Sequence, residues 1–448
     1  MTAAESSPRV VPSRPRRPSM FASLAQRDYR LYFMGQGVSL IGTWLQAAAV
    51  RWLVYEQTRS EFLLGVVEVA NLMPGLLIGL FSGAVSDRVA PRAMIVTMEF
   101  GQMACAFLLA ALVGLGIVQF WQMVVILALA RICVSFELPS RQVFLYDLVG
   151  TENLSNAIAL NAGLFNATRV IGPALAGLGI SVLGAAGCFT VNAVSYLAAI
   201  AAVFAIQPTV RPDRARGGKG AAFHDVLAGL AYLRGEPRLV RHLALMGFFG
   251  LMGMGYESMT PAYARRVVGA EVGGYSLILA CGGAGATVGA LTVARLGHRR
   301  HKDRLVVVGL LIFSTFLLAA SLYPYWVPPT WPHYGRIAAA ACCLLGAGFG
   351  AAMFYASTQT LIQLTIPDHL RGRIMGVWMV IFSGTVPIGA LWTGRAASIW
   401  GVTRVMSVSA VVCIAVGLFL RWSGVLAEAP KQAARAETEP SSTPTASD

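Results

Sequence analysis

Charged residues stand inside long apolar runs of this chain, among them Arg51, Glu68, Arg131, Arg169 and Glu257. A charge at the centre of a membrane-crossing helix costs about 2.5–3.5 kcal/mol on insertion scales, so such residues are functional candidates by default. The chemistry open to them is ion pairing, attraction of a charged ligand and, for the carboxylates, proton exchange. Arg51 and Glu68 flank the short hairpin "EQTRSE" (56–61) at similar depth, so a pair is expected; the alternative is that each snorkels outward alone. Glu99 has no obvious partner. Glu137, six residues beyond Arg131, lies about 240° further round a helix and reads as an end residue off the Arg131 face.

A second concentration of chemistry is "GAVSDRVAPR" (83–92), which places Asp87, Arg88 and Arg92 in a ten-residue gap between two apolar runs. One reading is a positive-inside anchor, which needs only Arg88 and Arg92. The other is a conformational latch of Gly83, Asp87, Arg88 and Arg92. Asp87 accepts from helix N-terminal amides or an arginine of the other half, and the arginines hold carboxylates when that side is shut. Glycines supply a third feature. Gly163, Gly172, Gly177 and Gly179 lie along one run, with Pro173 allowing a bend; Gly282, Gly283, Gly285 and Gly289 lie along another. Small residues let helix backbones approach closely. Uncharged polar and aromatic residues such as Gln46, Asn71, Asn166, Asn192, Gln359, Trp44, Trp52, Phe165, Tyr256, Phe354, Tyr355 and Trp378 either line a cavity or simply pack.

The elements that position these residues follow from composition. Of 448 residues 56% are hydrophobic and only 12% charged, and mean hydropathy is +0.64. A soluble chain carries about 25% charged residues. Apolar runs fall near 33–55, 62–83, 93–115, 119–138, 157–181, 184–206, 240–262, 273–296, 305–324, 336–358, 373–397 and 403–422. Each is long enough, at ~20 residues, to cross a bilayer as a helix, and continuous rather than alternating runs exclude a barrel. The expectation is an all-α polytopic membrane protein with twelve transmembrane helices in two pseudo-symmetric six-helix halves.

Most of the 35 lysines and arginines fall in the segments that share a side with the N-terminus, which places both termini in the cytoplasm. The net charge of +14 is therefore directed at the anionic inner leaflet, and no nucleic-acid partner is expected. The organisation expected is a disordered basic tail (1–30), a first half (31–206), a cytoplasmic linker carrying a surface helix (207–239), a second half (240–422) and a disordered tail (423–448). The halves echo each other in "RVIGPALAG" (169–177) and "TVPIGALWTG" (385–394). All seven cysteines lie in apolar runs without CxxC spacing, so neither disulfide nor metal is expected; with no Walker-type phosphate loop there is no ATPase signal, no cofactor and no enzyme.

These residues resemble a known family. "GAVSDRVAPR" is similar to the GxxxDRxGR[RK] loop signature of the major facilitator superfamily, departing from it at Ala90 and Pro91. "LALARIC" places Arg131 at the arginine of the fourth-span LxxxR motif, and Gly172, Pro173 and Gly177 match the fifth-span GPxxxG antiporter signature. "DYRLYFMGQGVSLIGTWLQAAAVRWLVYEQT", "LMPGLLIGLFSGAVSDR" and "IPDHLRGRIMGVWMVIFSGTVPIGAL" resemble the siderophore- and drug-exporting branch, over roughly residues 23–425.

The resemblance implies a bacterial inner-membrane secondary transporter, probed by its substrate from alternate sides and exporting small organic molecules, with protons as the counter-ion and the monomer as the working unit. It implies that the first and seventh spans face each other, making Glu257 a rival partner for Arg51. It also implies that spans five and eight meet between the halves, and that Arg131 holds a charge near the cavity. A lipid or lysophospholipid transporter and a non-transporting receptor or scaffold are the competing functions.

Overall fold

A computed structural model describes residues 22–86, 88–206, 232–233, 235–296, 302–366 and 370–423. Asp87, residues 1–21, most of the 207–239 linker and residues 424–448 lie outside the described residues; residues 22–30, expected in the disordered tail, instead form a short helical turn, Ala22–Ala25, and the start of the first span, where Tyr29 is fully buried. The chain is a bundle of helices, because a backbone in hydrocarbon has to satisfy its own hydrogen bonds. The first half comprises α1 (Arg27–Thr58), α2 (Glu61–Ser86), α3 (Pro91–Gly114) and a long helical stretch, Phe120–Ala205. That stretch is interrupted at Gly150 (φ 67°) and Gly184 (φ 68°). Positive φ is readily available only to glycine, so these two residues divide it into α4 (120–149), α5 (151–183) and α6 (185–205).

The second half comprises α7 (Pro237–Val268), α8 (Val272–Leu296), α9 (Lys302–Ser321), α10 (His333–Thr365), α11 (Arg371–Trp400) and α12 (Val402–Ser423). Eleven described helical stretches are long and apolar enough to cross a membrane, and the Gly150 break turns the longest of them into two. The twelve expected spans are thus present. The outer loop expected at 323–335 includes a short helix, Tyr323–Trp326.

Two local features depart from a plain span. α7 is discontinuous: it runs Pro237–Met252, turns at Gly253 and Met254, resumes over Gly255–Ala262, and ends in a π-helical turn, Tyr263–Val268. The apolar run alone suggested 240–262, with Arg265 and Arg266 in a loop. Pro261 lacks the amide that a regular α-turn would use, and the wider π-turn carries both arginines on as part of the helix.

The halves pack by close backbone contact. A Cβ on Gly172 of α5 would stand 2.2 Å from Trp44 Cβ of α1, and one on Gly389 of α11 would stand 2.5 Å from the Gly250 carbonyl of α7. The two echoed motifs therefore serve the same helix pairing in each half. Between halves, a Cβ on Gly65 of α2 would stand 2.6 Å from the Ala390 carbonyl of α11, and one on Gly177 of α5 would meet Ser276 Cβ of α8 at 2.6 Å.

These contacts lie toward the end of the bundle that carries the 58–61 hairpin. Gly83 follows Gly65 by five full helical turns and so occupies the same face of α2. Yet among the described residues nothing comes within 4 Å of a Cβ on Gly83, nor on Gly163, which precedes Gly177 on α5. The close backbone contacts between the halves named here therefore lie at the hairpin end, and the Gly83 and Gly163 positions are open among the described residues.

Candidate functional site

Below the closed hairpin end lies a cavity of about 480 Å³. Both halves build its wall: Trp44, Ala48, Arg51, Phe165, Asn166 and Arg169 from the first, Tyr256, Glu257, Tyr355, Gln359 and Phe382 among those from the second. The break in α7 places Tyr256 and Glu257 there at the start of its resumed segment, Gly255–Ala262. Discontinuous helices recur at transporter binding sites for this reason: they free a turn for a ligand in mid-membrane.

The charges are arranged in pairs. Arg51 Nε donates to Glu68 Oε1 at 2.6 Å, joining α1 to α2 as the hairpin spacing suggested. Glu257 is not that arginine's ion-pair partner. It faces Arg169 of α5 across the cavity, Oε2 to Nη2 3.7 Å, so the pair spans the two halves. The Arg169 guanidinium also lies 6.0 Å from the Trp44 ring centroid, within cation–π range. Trp44 and Phe165 stand edge to face at 5.5 Å. The cavity thus offers a loosely paired cation and anion framed by aromatic faces.

Arg131 is elsewhere. It packs on α2, where a Cβ on Gly75 would stand 2.8 Å from its Nε. That Nε is buried without a hydrogen-bond partner, and no carboxylate pairs with it among the described residues. Its motif suggested a charge near the cavity; the structure places it at an α2–α4 contact instead, because Gly75 admits the guanidinium between the two helices. Several neutral candidates likewise pack rather than line the cavity: Asn192 donates to Gln46 at 2.8 Å, Trp52 stacks on Tyr275, and Phe354 is fully buried against Phe249.

The loop candidates also separate. Arg88 is exposed. Arg92 donates to the Phe204 carbonyl at 3.0 Å and covers the Phe204 ring at 5.7 Å, so it is held by the end of α6 within its own half. Asp87 lies outside the described residues, and the side chain of Pro173 is not described. Of the four α8 glycines singled out from sequence, Gly283 faces α5, its Cβ position lying 3.1 Å from the Arg169 carbonyl; Gly285 and Gly289 admit the backbone of α10 instead.

Sequence reading missed two groups. The first closes the hairpin end: Arg266 donates to Glu61 at 2.6 Å and Arg265 approaches Glu56 at 3.3 Å, joining α7 to α2 and α1. Two acids and two arginines beside opposite apolar runs were the available signal, but only the π-turn aims them at each other. The second surrounds Glu99, which is fully buried and bound by Gln36 and Arg141. Glu137, expected at a helix end, is 2% exposed and belongs to the same group. Its partner Arg141 is one turn along α4, and the other members come from three more helices.

Comparison with known proteins agrees with this architecture. The chain is 24% identical over 402 residues to the enterobactin exporter EntS of Shigella boydii, covering 88% of this chain and 90% of the relative. It is 20% identical over 391 residues to the staphyloferrin A transporter of Staphylococcus aureus, covering 86% and 94%, and 24% identical over 378 residues to the multidrug efflux pump Tap of Mycolicibacterium fortuitum, covering 82% and 87%. The fold matches the nucleoside transporter NupG with a TM-score of 0.71 at 9% identity, covering 90% of this chain and all of that one. It also matches a bacterial homolog of the human lysosomal transporter Spinster, in an inward-facing and unoccupied conformation, with a TM-score of 0.67 at 14% identity over 87% and 94% of the chains. A family model described as transmembrane secretion effector covers residues 18–444. With two helical halves enclosing one charged cavity, and that match over nearly the whole length, the chain belongs to the transmembrane secretion effector family of major facilitator transporters.

Proposed function

We propose that this transporter exports small organic molecules of siderophore or drug-like character by alternating access, in exchange for protons. The observation that carries this reading is the Arg169–Glu257 pair, which spans the two halves inside the cavity at 3.7 Å. A cavity of about 480 Å³ falls within the range of drug-sized ligand sites. A cargo bearing an anionic group and an aromatic ring answers Arg169 and the Trp44 and Phe165 faces. Cargo inserted between Arg169 and Glu257 replaces a contact between the halves, and a ligand shifts a two-state equilibrium only through such differential contacts.

The positive-inside pattern supports cytoplasmic termini, and with them a cytoplasmic position for the end of the bundle opposite the hairpin. In this arrangement the cavity takes cargo from inside. Closure of the loop latch at 83–92, with Asp87 engaged, then accompanies opening of the Arg265–Arg266 side. The enterobactin exporter and the multidrug efflux pump support the direction, and these two with the staphyloferrin A transporter support the cargo class.

The test is transport in proteoliposomes of known orientation, with an imposed pH gradient and a panel running from catecholate and hydroxycarboxylate siderophores to lipophilic drugs. Gradient-driven movement of at least one of them, lost in Arg169→Ala, is expected. Movement of fluorescent lipids alone transfers the assignment to a lipid transporter, and no flux of any cargo overturns the reading.

A further inference from the structure

A second group of buried charges lies in the first half, among residues the cavity does not use. Glu99 of α3 is 0% exposed and Glu137 of α4 is 2% exposed. Arg141, one turn beyond Glu137, donates through Nε to Glu137 Oε1 and through Nη2 to Glu99 Oε1 at 3.1 Å. Gln102 Nε2 donates to Glu137 Oε2 at 2.5 Å and itself accepts from the Tyr196 hydroxyl of α6 at 3.3 Å. Gln36 of α1 donates to Glu99 Oε1 at 3.0 Å. The titratable side chains around Glu99 are therefore Tyr32 from α1, Glu137 and Arg141 from α4, and Tyr196 from α6.

Among the described residues the charge count does not close. Two carboxylates share one guanidinium, which leaves one negative charge buried. An uncompensated buried charge is costly enough that such a group ordinarily takes up a proton instead. The hydrogen bonds show where the proton goes. Both oxygens of Glu137 have donors, and Oε1 of Glu99 has two. Oε2 of Glu99 is buried with none, and so is Oε1 of Gln36. These two orphaned atoms belong to the two side chains that already share a bond.

We propose that Glu99 is a proton-binding site, remote from the cargo cavity, in which the proton sits on Oε2. One proton then gives the orphaned oxygen of Glu99 a hydrogen to donate and brings the Glu99–Glu137–Arg141 group to neutrality. Its loss leaves two carboxylates competing for Arg141. Arg141, with 23% of its side chain exposed, is the most exposed member of the ion-paired group. Gln36 shares α1 with the cavity residues Trp44, Ala48 and Arg51, so loading or unloading of the site acts on a helix that lines the cargo cavity. That coupling role rests on the antiport reading above; the proton site itself does not.

Infrared difference spectroscopy of the purified full-length protein across a pH titration tests the site. A carboxylic-acid C=O band that shifts in deuterium oxide and disappears on alkalinisation is expected in the wild type. It is absent from Glu99→Gln and present in Glu257→Gln. In Gln36→Leu, which keeps the acid, the band moves in frequency because the C=O has lost its amide donor. A band that survives unchanged in Glu99→Gln, or its absence from the wild type, overturns the site. In proteoliposomes Glu99→Gln keeps cargo exchange at equal pH and loses gradient-driven accumulation. Accumulation at the wild-type level in that variant overturns the coupling role. A wild type that carries the band but ignores the pH gradient removes the antiport reading and leaves the site standing.

Discussion

Glu61→Gln should release the closed hairpin end. Glu61 is 2% exposed and takes a bond from Arg266 at 2.6 Å and a weaker one from the Tyr55 hydroxyl at 3.4 Å. A hydrogen bond to a charged group contributes about 1.5–3 kcal/mol, but the Arg266 side chain is 54% exposed and solvent screening lowers that figure. About 1–2 kcal/mol is a fair value. Glu61 stands on α2 and Arg266 on α7, so opening this end has to part them, and the whole of that energy favours the closed state. Since about 1.4 kcal/mol is a factor of ten, the fraction of molecules open at the hairpin end should rise about 5- to 30-fold. The assay is the rate at which a membrane-impermeant maleimide, added from the hairpin side, modifies a cysteine placed in the cavity wall by Ala352→Cys, with the native cysteines as background. The exchange Glu61→Arg with Arg266→Glu should return the rate toward the parent value. A Glu61→Gln rate indistinguishable from the parent, at equal protein, refutes the argument that this pair holds the halves together.

Other perturbations separate the remaining readings. Asp87→Asn should abolish most transport at normal membrane expression if the 83–92 loop is a latch; undiminished transport reduces it to an anchor. Gly285→Ala pushes a Cβ to 1.9 Å from the Leu345 carbonyl, so thermal unfolding in detergent should reveal a loss of about 1–3 kcal/mol. Gly163→Ala, with open space around it, should be neutral or stabilising in the same measurement by the helix-propensity gain of about 0.5–1 kcal/mol. Glu257→Gln removes one half of the pair that spans the cavity, and a cargo-binding titration should show altered affinity while Gly163→Ala shows none.

The membrane class, the twelve spans and the pairing of Arg51 with Glu68 were legible in the sequence. Hydrocarbon leaves the backbone no alternative to the helix, and a short hairpin makes consecutive spans neighbours, so these depend on local composition and spacing. The echoed motifs around Gly172 and Gly389 could be read for the same reason, since each needs only a small residue where two backbones approach. The other partnerships depended on rotation of each helix about its axis and on breaks that apolarity does not encode. Glu257 meets Arg169, rather than Arg51, because α7 turns at Gly253 and restarts. Arg265 and Arg266 reach Glu56 and Glu61 because Pro261 is followed by a π-turn. Glu99 and Glu137 become one site because four helices, distant in sequence, turn Gln36, Glu99, Glu137, Arg141 and Tyr196 toward a common point. An apolar run shows that a helix crosses the membrane; which of its faces meets a distant helix is decided by side-chain packing, and only the tertiary structure holds that information.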